Sequence, residues 1–330
     1  MSDLGSEASL DDLRSLVESG LSGLLTEQEP EDLYAPIRYV LEGGGKRIRP
    51  ILVLLSAQAF GADPRRALPA ALAVEVFHNF TLVHDDIMDH ASTRRGRPTV
   101  HTRWDEATAI LAGDLMMGES YRLLGQLDAV DTREVLAVFA RMVQRLCEGQ
   151  ALDKAFESRP AVTVDAYRDM IYRKTGALIE CALELGGIIG GADEAQRAAL
   201  REAGYHAGQA FQIQDDLLDL TADSAGWGKT IGGDLMEAKK TFLLLSAVER
   251  SGADSDDARF FGSVVAGKAL GERQIDEARD RMDRLGVLSE ARDTVVAETE
   301  LALASLRSLP LSGARSILET LILQLAGRSV

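Results

Sequence analysis

From about residue 10 onward, apolar residues recur at the three- and four-residue spacing of an α-helix. No stretch keeps the period-two alternation of a half-buried strand. A chain patterned in this way is confined to packing helix on helix. The spacing predicts helices over roughly 8–24, 31–41, 50–61, 65–90, 104–125, 131–157, 163–190, 193–221, 235–250, 255–283, 286–307 and 311–327. Turn-forming clusters separate them: "EGGGKR", "FGADP", "RRGRP", "ESRPAVT", "GGADE", "ADSAGWGKTIGGD" and "RSGADSDD". Proline is scarce, with 8 in 330 residues, as long helices require. No βαβ alternation or long linker interrupts the pattern. The expectation is an all-α fold with one domain over 1–330, built as a bundle of about ten or more helices. Residues 1–10 form a loose lead-in.

The formal net charge is −16 and the isoelectric point about 4.8. Nucleic acid is therefore not an expected partner, since a phosphate backbone needs a basic face. A local basic site for a small anion remains compatible with this balance. Cys147 and Cys181 are the two cysteines, and neither stands in a metal-ligand spacing. They point to a reducing compartment without a disulfide framework. The N-terminal "MSDLGSEASLDD" lacks the apolar core of a signal peptide. No apolar run reaches the ~18 residues of a membrane span. These features predict a soluble, cytoplasmic protein with no transmembrane segment.

One pattern occurs twice. "LVHDDIMD" at 82–89 and "QIQDDLLD" at 212–219 share Asp-Asp-x-x-Asp. On a helix, Asp85 and Asp89 share a face, while Asp86 turns roughly 100° away. Asp215, Asp219 and Asp216 repeat the arrangement. Each triplet is set among apolar residues: Leu82, Val83, Ile87 and Met88 around the first, Ile213, Leu217 and Leu218 around the second. Like charges at i,i+4 repel by a few tenths of a kcal/mol in water, and by more when partly desolvated. A divalent cation removes that cost. Oxygen-only ligands suit Mg²⁺, which is held by a few carboxylates together with substrate phosphates. The alternative is that each acidic run is merely solvated surface.

Basic residues gather near these triplets. "EGGGKRIRPIL" (42–52) combines close-approach glycines with Lys46 and Arg49. Such a loop is an anion pocket, or only an ordinary glycine turn. "STRRGRP" adds Arg94 and Arg95, "YRKTG" adds Lys174 and Thr175, and the 226–242 segment adds Lys229, Lys239 and Lys240. "GGGKR" lacks the GxxxxGK[ST] spacing of a nucleotide-binding loop, so nucleotide phosphoryl transfer is disfavoured. Metal-bound carboxylates on one side and cations on the other suit a diphosphate.

Taken in order, GGGKRIRP (43–50), LVHDDIMDHASTRRGRPTVH (82–101), GDLMM (113–117), Lys174-Thr175, FQIQDDLLD (211–219) and GKTIGGDLMEAKKT (228–241) resemble the trans-isoprenyl diphosphate synthases, or polyprenyl synthetases. The resemblance runs from about residue 30 to 325. It implies an all-α homodimer with a deep central cavity. The implied reaction is head-to-tail condensation of isopentenyl diphosphate with an allylic diphosphate (DMAPP, GPP or FPP). By position, Lys46, Arg49, His78 and Arg95 would bind isopentenyl diphosphate. Asp85, Asp89 and Asp215, with Asp219 assisting, would bind Mg²⁺, three ions per active site. Arg94, Lys174, Thr175, Gln212, Lys229 and Lys239 would hold the allylic diphosphate. Lys174, Thr175 and Gln212 would also steady the allylic cation with the negative ends of their dipoles.

Product length should follow from the helix below Asp85, at about 1.5 Å per residue. Thr81 lies one turn down, Phe80 five residues back and Phe77 eight back, roughly 12 Å deep. An aromatic at the fifth position beside a small residue resembles the short-chain synthases that make geranylgeranyl diphosphate (C20), with farnesyl diphosphate (C15) as the alternative. Phe80 packing only in the core is the plainer reading. The C-terminal "LAGRSV" carries only Arg328, which puts in doubt the basic lid found in some relatives. Two further readings stand. A class I terpene cyclase would lack the Lys46–Arg49–Arg95 pocket, and a non-catalytic synthase subunit would have lost an aspartate motif.

Overall fold

The computed structural model describes residues 8–26, 28–128, 130–222 and 231–327. It is helical almost throughout, as the periodicity requires. The chain divides into two compact units. The first comprises Met1–Ala140, Cys181–Arg201 and Ser308–Leu318; the second comprises Arg141–Glu180, Glu202–Arg307 and Glu319–Val330.

In the first unit, α1 (Leu10–Ser22), α2 (Glu31–Leu41), α3 (Ile48–Ala59), α4 (Pro64–Met88) and α6 (Glu106–Leu124) pack together. Helix α4 is the centre and touches α1, α2, α3 and α6. Its start follows from Asp63, whose side chain caps the Arg65 amide, and from Pro64 in the first turn. Its alanines, Ala67, Ala70, Ala71 and Ala73, are fully buried and let neighbours approach closely. Gly113 on α6 serves the same end. A Cβ there would stand 2.2 Å from His84 Nε2, so this glycine makes room for the α4 side chain.

Helix α4 stops at Met88, two residues earlier than the periodicity predicts, with Asp89 as its cap. His90 then adopts a left-handed conformation (φ 52°) and turns the chain away. A feature absent from the sequence reading follows: a two-stranded ribbon, β1 (Thr93–Arg94) paired antiparallel with β2 (Arg97–Pro98). Its turn places Arg95 and Gly96 at φ 53° and 73°, the tight hairpin geometry that suits a glycine. Two residues per strand are too few to leave a period-two trace. A short helix, α5 (Val100–Arg103), connects the ribbon to α6.

Three longer helices follow: α7 (Thr132–Ser158), α9 (Ala177–Gly190) and α10 (Glu194–Thr221). The predicted 163–190 helix is α8 (Val164–Ile171), a wide π turn over Tyr172–Gly176, and then α9. The predicted 235–250 helix is two pieces, α11 (Gly233–Met236) and α12 (Phe242–Arg250). Thr241 restarts the chain as the N-cap of α12. Likewise 255–283 divides into α13 (Asp256–Val265) and α14 (Glu272–Arg284), with Gly267 at φ 96° between them. Helices α15 (Val287–Leu306) and α16 (Gly313–Leu325) follow. The second unit's core holds Leu243, Leu244, Leu245, Phe261, Met282 and Val295. Each buried side chain of this size contributes roughly 1.5–3 kcal/mol.

Candidate active site

The glycine–cation loop assigns different work to its cations. Arg47 enters the left-handed region (φ 49°) and is 3% exposed. Its guanidinium donates to Glu18 Oε1 at 2.9 Å, Glu75 Oε1 at 2.7 Å and the Leu41 carbonyl at 2.6 Å. It thereby ties α1, α4 and the end of α2 to the loop. With Arg47 turned inward, Lys46 is exposed and Arg49 stands on the first turn of α3.

Arg49 Nη1 lies 3.2 Å from His78 Nε2, and Arg49 Nε is buried without a hydrogen-bond partner. Burial first, then the Arg49 and Arg95 charges, hold His78 well below the usual histidine range. The neutral ring accepts from Arg49. Arg95 donates from Nη1 to the Gly44 carbonyl. Gly45 (φ 142°) lies against that guanidinium, where a Cβ would stand 3.0 Å from Nη1. Arg49, His78 and Arg95 are therefore brought together with the glycine loop, and Lys46 stands on that loop.

Asp85 and Asp89 follow at the end of α4, the first partly exposed and the second exposed, with the Asp89 amide bonded to the Asp85 carbonyl at 2.9 Å. Asp86 is buried, and its Oδ1 accepts from Arg94 Nε and Nη2, both at 2.8 Å. Burial raises the Asp86 carboxyl and the Arg94 charge opposes that rise. Any diphosphate contact made by Arg94 thus shares the guanidinium with Asp86. Deeper on α4, Phe77 and Phe80 pack at 5.2 Å between centroids, Phe139 meets Phe77 at 5.2 Å, and His84 meets Phe80 at 4.7 Å. Thr81 is turned inward and donates to the His78 carbonyl at 2.8 Å.

The second unit carries the other group. Lys174 and Thr175 sit in the π turn, a feature that recurs at functional sites. Its backbone is pressed on both sides by glycines. A Cβ on Gly149 would meet the Lys174 nitrogen at 2.3 Å, and one on Gly208 would meet Gly176 Cα at 2.5 Å. Lys174 Nζ donates to Asp153 Oδ2 at 2.5 Å. Asp153 escaped the sequence reading. Its signal is its spacing, four residues after Gly149 and so on the same face of α7.

Thr175 Oγ1 donates to Gln212 Oε1 at 3.3 Å, and Gln212 Nε2 donates to Asp216 Oδ1 at 3.3 Å. Asp216 Oδ2 accepts from the Tyr167 hydroxyl at 2.5 Å and the Phe242 amide at 3.1 Å. Burial, then the nearby Asp234 charge, push the Asp216 carboxyl up to about 7, against the pull of these bonds. Asp215 is partly exposed. Asp219 is buried and anchors the next loop, its Oδ2 accepting the Asp234 amide at 3.2 Å and its carbonyl the Gly232 amide at 2.7 Å. Lys239 is exposed and reaches Glu237 at 2.8 Å. Lys240, by contrast, is buried, with its ammonium on the Phe156 and Glu157 carbonyls. Lys229 and Arg328 lie outside the described residues.

The donor chemistry fits a hard divalent cation. Both triplets occupy the C-terminal turns of long helices, and neither helix has a basic residue in its last turn. Carboxylates at the negative end of a helix are unfavourable unless a cation accompanies them. Among the described residues no three His, Cys, Asp or Glu are gathered as a complete metal cage. A few carboxylates completed by water and substrate phosphate is the way Mg²⁺ is usually held.

The sequence model of the polyprenyl synthetase family matches residues 30–280. The chain belongs to that family. This synthetase is 40% identical over 309 residues to the geranylgeranyl pyrophosphate synthase of Geoglobus acetivorans, covering 93% of this chain and 94% of the relative. A crystal structure of a geranylgeranyl pyrophosphate synthase superposes with a TM-score of 0.91 at 40% identity, covering 98% of this chain and 100% of that one. A polyprenyl synthase from Caulobacter crescentus CB15, solved with calcium and isoprenyl diphosphate, superposes with a TM-score of 0.85 at 30% identity over 99% and 100% of the chains. The synthetase is a prenyl-transferring enzyme of a divalent-metal-dependent family. Among the described residues, no helix is long and apolar enough to cross a membrane.

Proposed function

We propose that this synthetase condenses isopentenyl diphosphate with allylic diphosphates (DMAPP, GPP, FPP) to give geranylgeranyl diphosphate, releasing diphosphate. The observation that carries the reading is the pair of carboxylate-ended helices, α4 and α10, each with basic residues in its own unit. The likeness to geranylgeranyl diphosphate synthases supports the C20 product.

Lys46, Arg49, His78 and Arg95 bind isopentenyl diphosphate. Neutral His78 offers no positive charge of its own and orients Arg49. Asp85, Asp89 and Asp215, with Asp219 assisting, would hold Mg²⁺, three ions per active site. Arg94, Lys174, Thr175, Gln212, Lys229 and Lys239 hold the allylic diphosphate. Bound metal supplies charge neutralisation for the departing diphosphate. The allylic C1–O bond breaks, and the electron pair leaves with the diphosphate. The Gln212 amide oxygen and the carbonyls of Lys174 and Thr175 face the resulting cation with negative dipole ends. The isopentenyl double bond then attacks that carbon. A proton leaves to the released diphosphate, so no side-chain base is needed. The chain acts as one polyprenyl synthetase domain and works as a cytoplasmic homodimer.

Incubation with isopentenyl diphosphate, each allylic primer and Mg²⁺, followed by mass analysis, tests this. A C20 diphosphate is expected. A C15 product would replace the length assignment. A hydrocarbon formed from the allylic substrate alone would replace transfer by cyclisation, and no elongation would point to a non-catalytic subunit. Phe77, Phe80 and Thr81 set product length, with the Phe80 ring as the floor. Phe80→Ser should extend the product by at least one five-carbon unit; an unchanged spectrum would move the floor elsewhere.

A further inference from the structure

Asp216 is the aspartate of the second triplet that the metal reading leaves unused. It is 4% exposed, and three donors occupy its oxygens: Tyr167 and the Phe242 amide on Oδ2, and Gln212 Nε2 on Oδ1. The arrangement has a directional consequence. The two ends of a glutamine amide are nearly alike in shape, and their assignment follows from the partners around them. Tyr167 and the Phe242 amide donate to Oδ2, and Oδ1 is left to accept from Gln212, which therefore presents its NH₂ end. With Nε2 bound to Asp216, Gln212 Oε1 must point the other way. That is where the Thr175 hydroxyl donates to it, at 3.3 Å.

Three helices supply the members of this hydrogen-bonded relay. Tyr167 stands on α8, is 4% exposed, and comes just before the π turn that carries Thr175. Gln212 and Asp216 are one turn apart on α10. Phe242 is the first residue of α12, where its amide is not yet part of the helical ladder. Three elements therefore converge on a single carboxylate, and the side chain that carboxylate orients is Gln212.

We infer that Tyr167 and Asp216 are positioning residues that fix the Gln212 amide with its oxygen toward the reacting allylic carbon. The inference rests on the prenyl-transfer reading proposed above. Tyr167 acts through Asp216, and Asp216 through Gln212. Loss of the tyrosine hydroxyl loosens the carboxylate. Asp216→Asn adds a donor that accepts either end of the amide, so Gln212 loses its orientation.

A double-mutant cycle on the full-length enzyme tests the chain of action. Tyr167→Phe should lower kcat about tenfold and leave KM for isopentenyl diphosphate within about twofold. Asp216→Asn should lower kcat at least as much. In a Gln212→Ala background, Tyr167→Phe should cause no further fall in kcat. A loss that multiplies in full in that background, or wild-type kcat in Tyr167→Phe, overturns the inference. If Tyr167→Phe does not fold, the same cycle with Asp216→Asn decides it. Wild-type kcat in Gln212→Ala sinks both this inference and the catalytic role of Gln212. An impaired Gln212→Ala with an independent Tyr167→Phe sinks the positioning alone. Failure of the unmodified enzyme to elongate any primer would instead overturn the functional reading itself.

Discussion

The ends of α4 and α10 carry the same Asp-Asp-x-x-Asp pattern, yet their middle aspartates are secured by different chemistry. Asp86 is met by Arg94, a guanidinium with 39% of its side chain still exposed. Asp216 is met by the Tyr167 hydroxyl, the Phe242 amide and the Gln212 amide, all in the interior of the second unit. The first solution is an ion pair at the edge of water, where screening keeps it weak. The second is a neutral donor cage, where every unmade bond is costly. In both, the middle position is taken up by internal contacts and the first stays partly exposed, whereas the last is exposed at Asp89 and buried at Asp219. A repeated motif therefore leaves the support of its inner residue undefined.

The largest expected effect tests the shared part of the comparison. Asp85→Ala and Asp215→Ala should each lower the rate of isopentenyl diphosphate incorporation by about 10³ or more. Both should keep a native far-ultraviolet circular dichroism spectrum. Near-normal turnover in either variant would show that the two helix ends do not share a role. The next effect tests the difference. Asp216→Ala strands the buried Tyr167 hydroxyl and Phe242 amide and should cost about 3 kcal/mol. Asp86→Ala lets Arg94 turn to solvent and should cost about 1 kcal/mol. Urea unfolding of both variants measures the gap, and equal losses would erase the distinction.

The smallest effect concerns pH and belongs to the first unit's cationic group. His78 titrates at 6.5 in the unfolded chain and well below that when folded, through burial and then the Arg49 charge. Its folded pKa is depressed, so its contribution is complete above about pH 6.5. Stability is then lost as pH falls from there toward the folded value, because the unfolded chain takes up a proton that the folded one refuses. The slope is at most about 1.4 kcal/mol per pH unit. Unfolding midpoints from pH 7 down to 5 should show it in the parent and a flatter course in His78→Gln. Identical slopes would place the titration elsewhere.

Much of this protein was legible before any coordinates. Helical spacing is local, so the long helices α4, α7 and α10 stand within two residues of where periodicity puts them. Asp85 with Asp89, and Asp215 with Asp219, share faces because a helix repeats every 3.6 residues. The breaks in 235–250 and 255–283 were harder to read, since each lies in a segment whose apolar spacing continues across it. Their causes are the Thr241 cap and the left-handed Gly267.

Tertiary structure alone decided which partners each charged side chain meets. In "GGGKRIRP" nothing in the string separates Arg47 from Arg49. Contacts with Glu18 and Glu75, remote in sequence, bury the first, while the second meets His78. Lys239 and Lys240 divide in the same way. Tyr167 and Asp153 gain their meaning only from partners tens of residues away. Helix periodicity comes from bonds four residues apart and is written in the sequence. The work of a charged group depends on which distant partner desolvates it, and that is settled only when the chain packs.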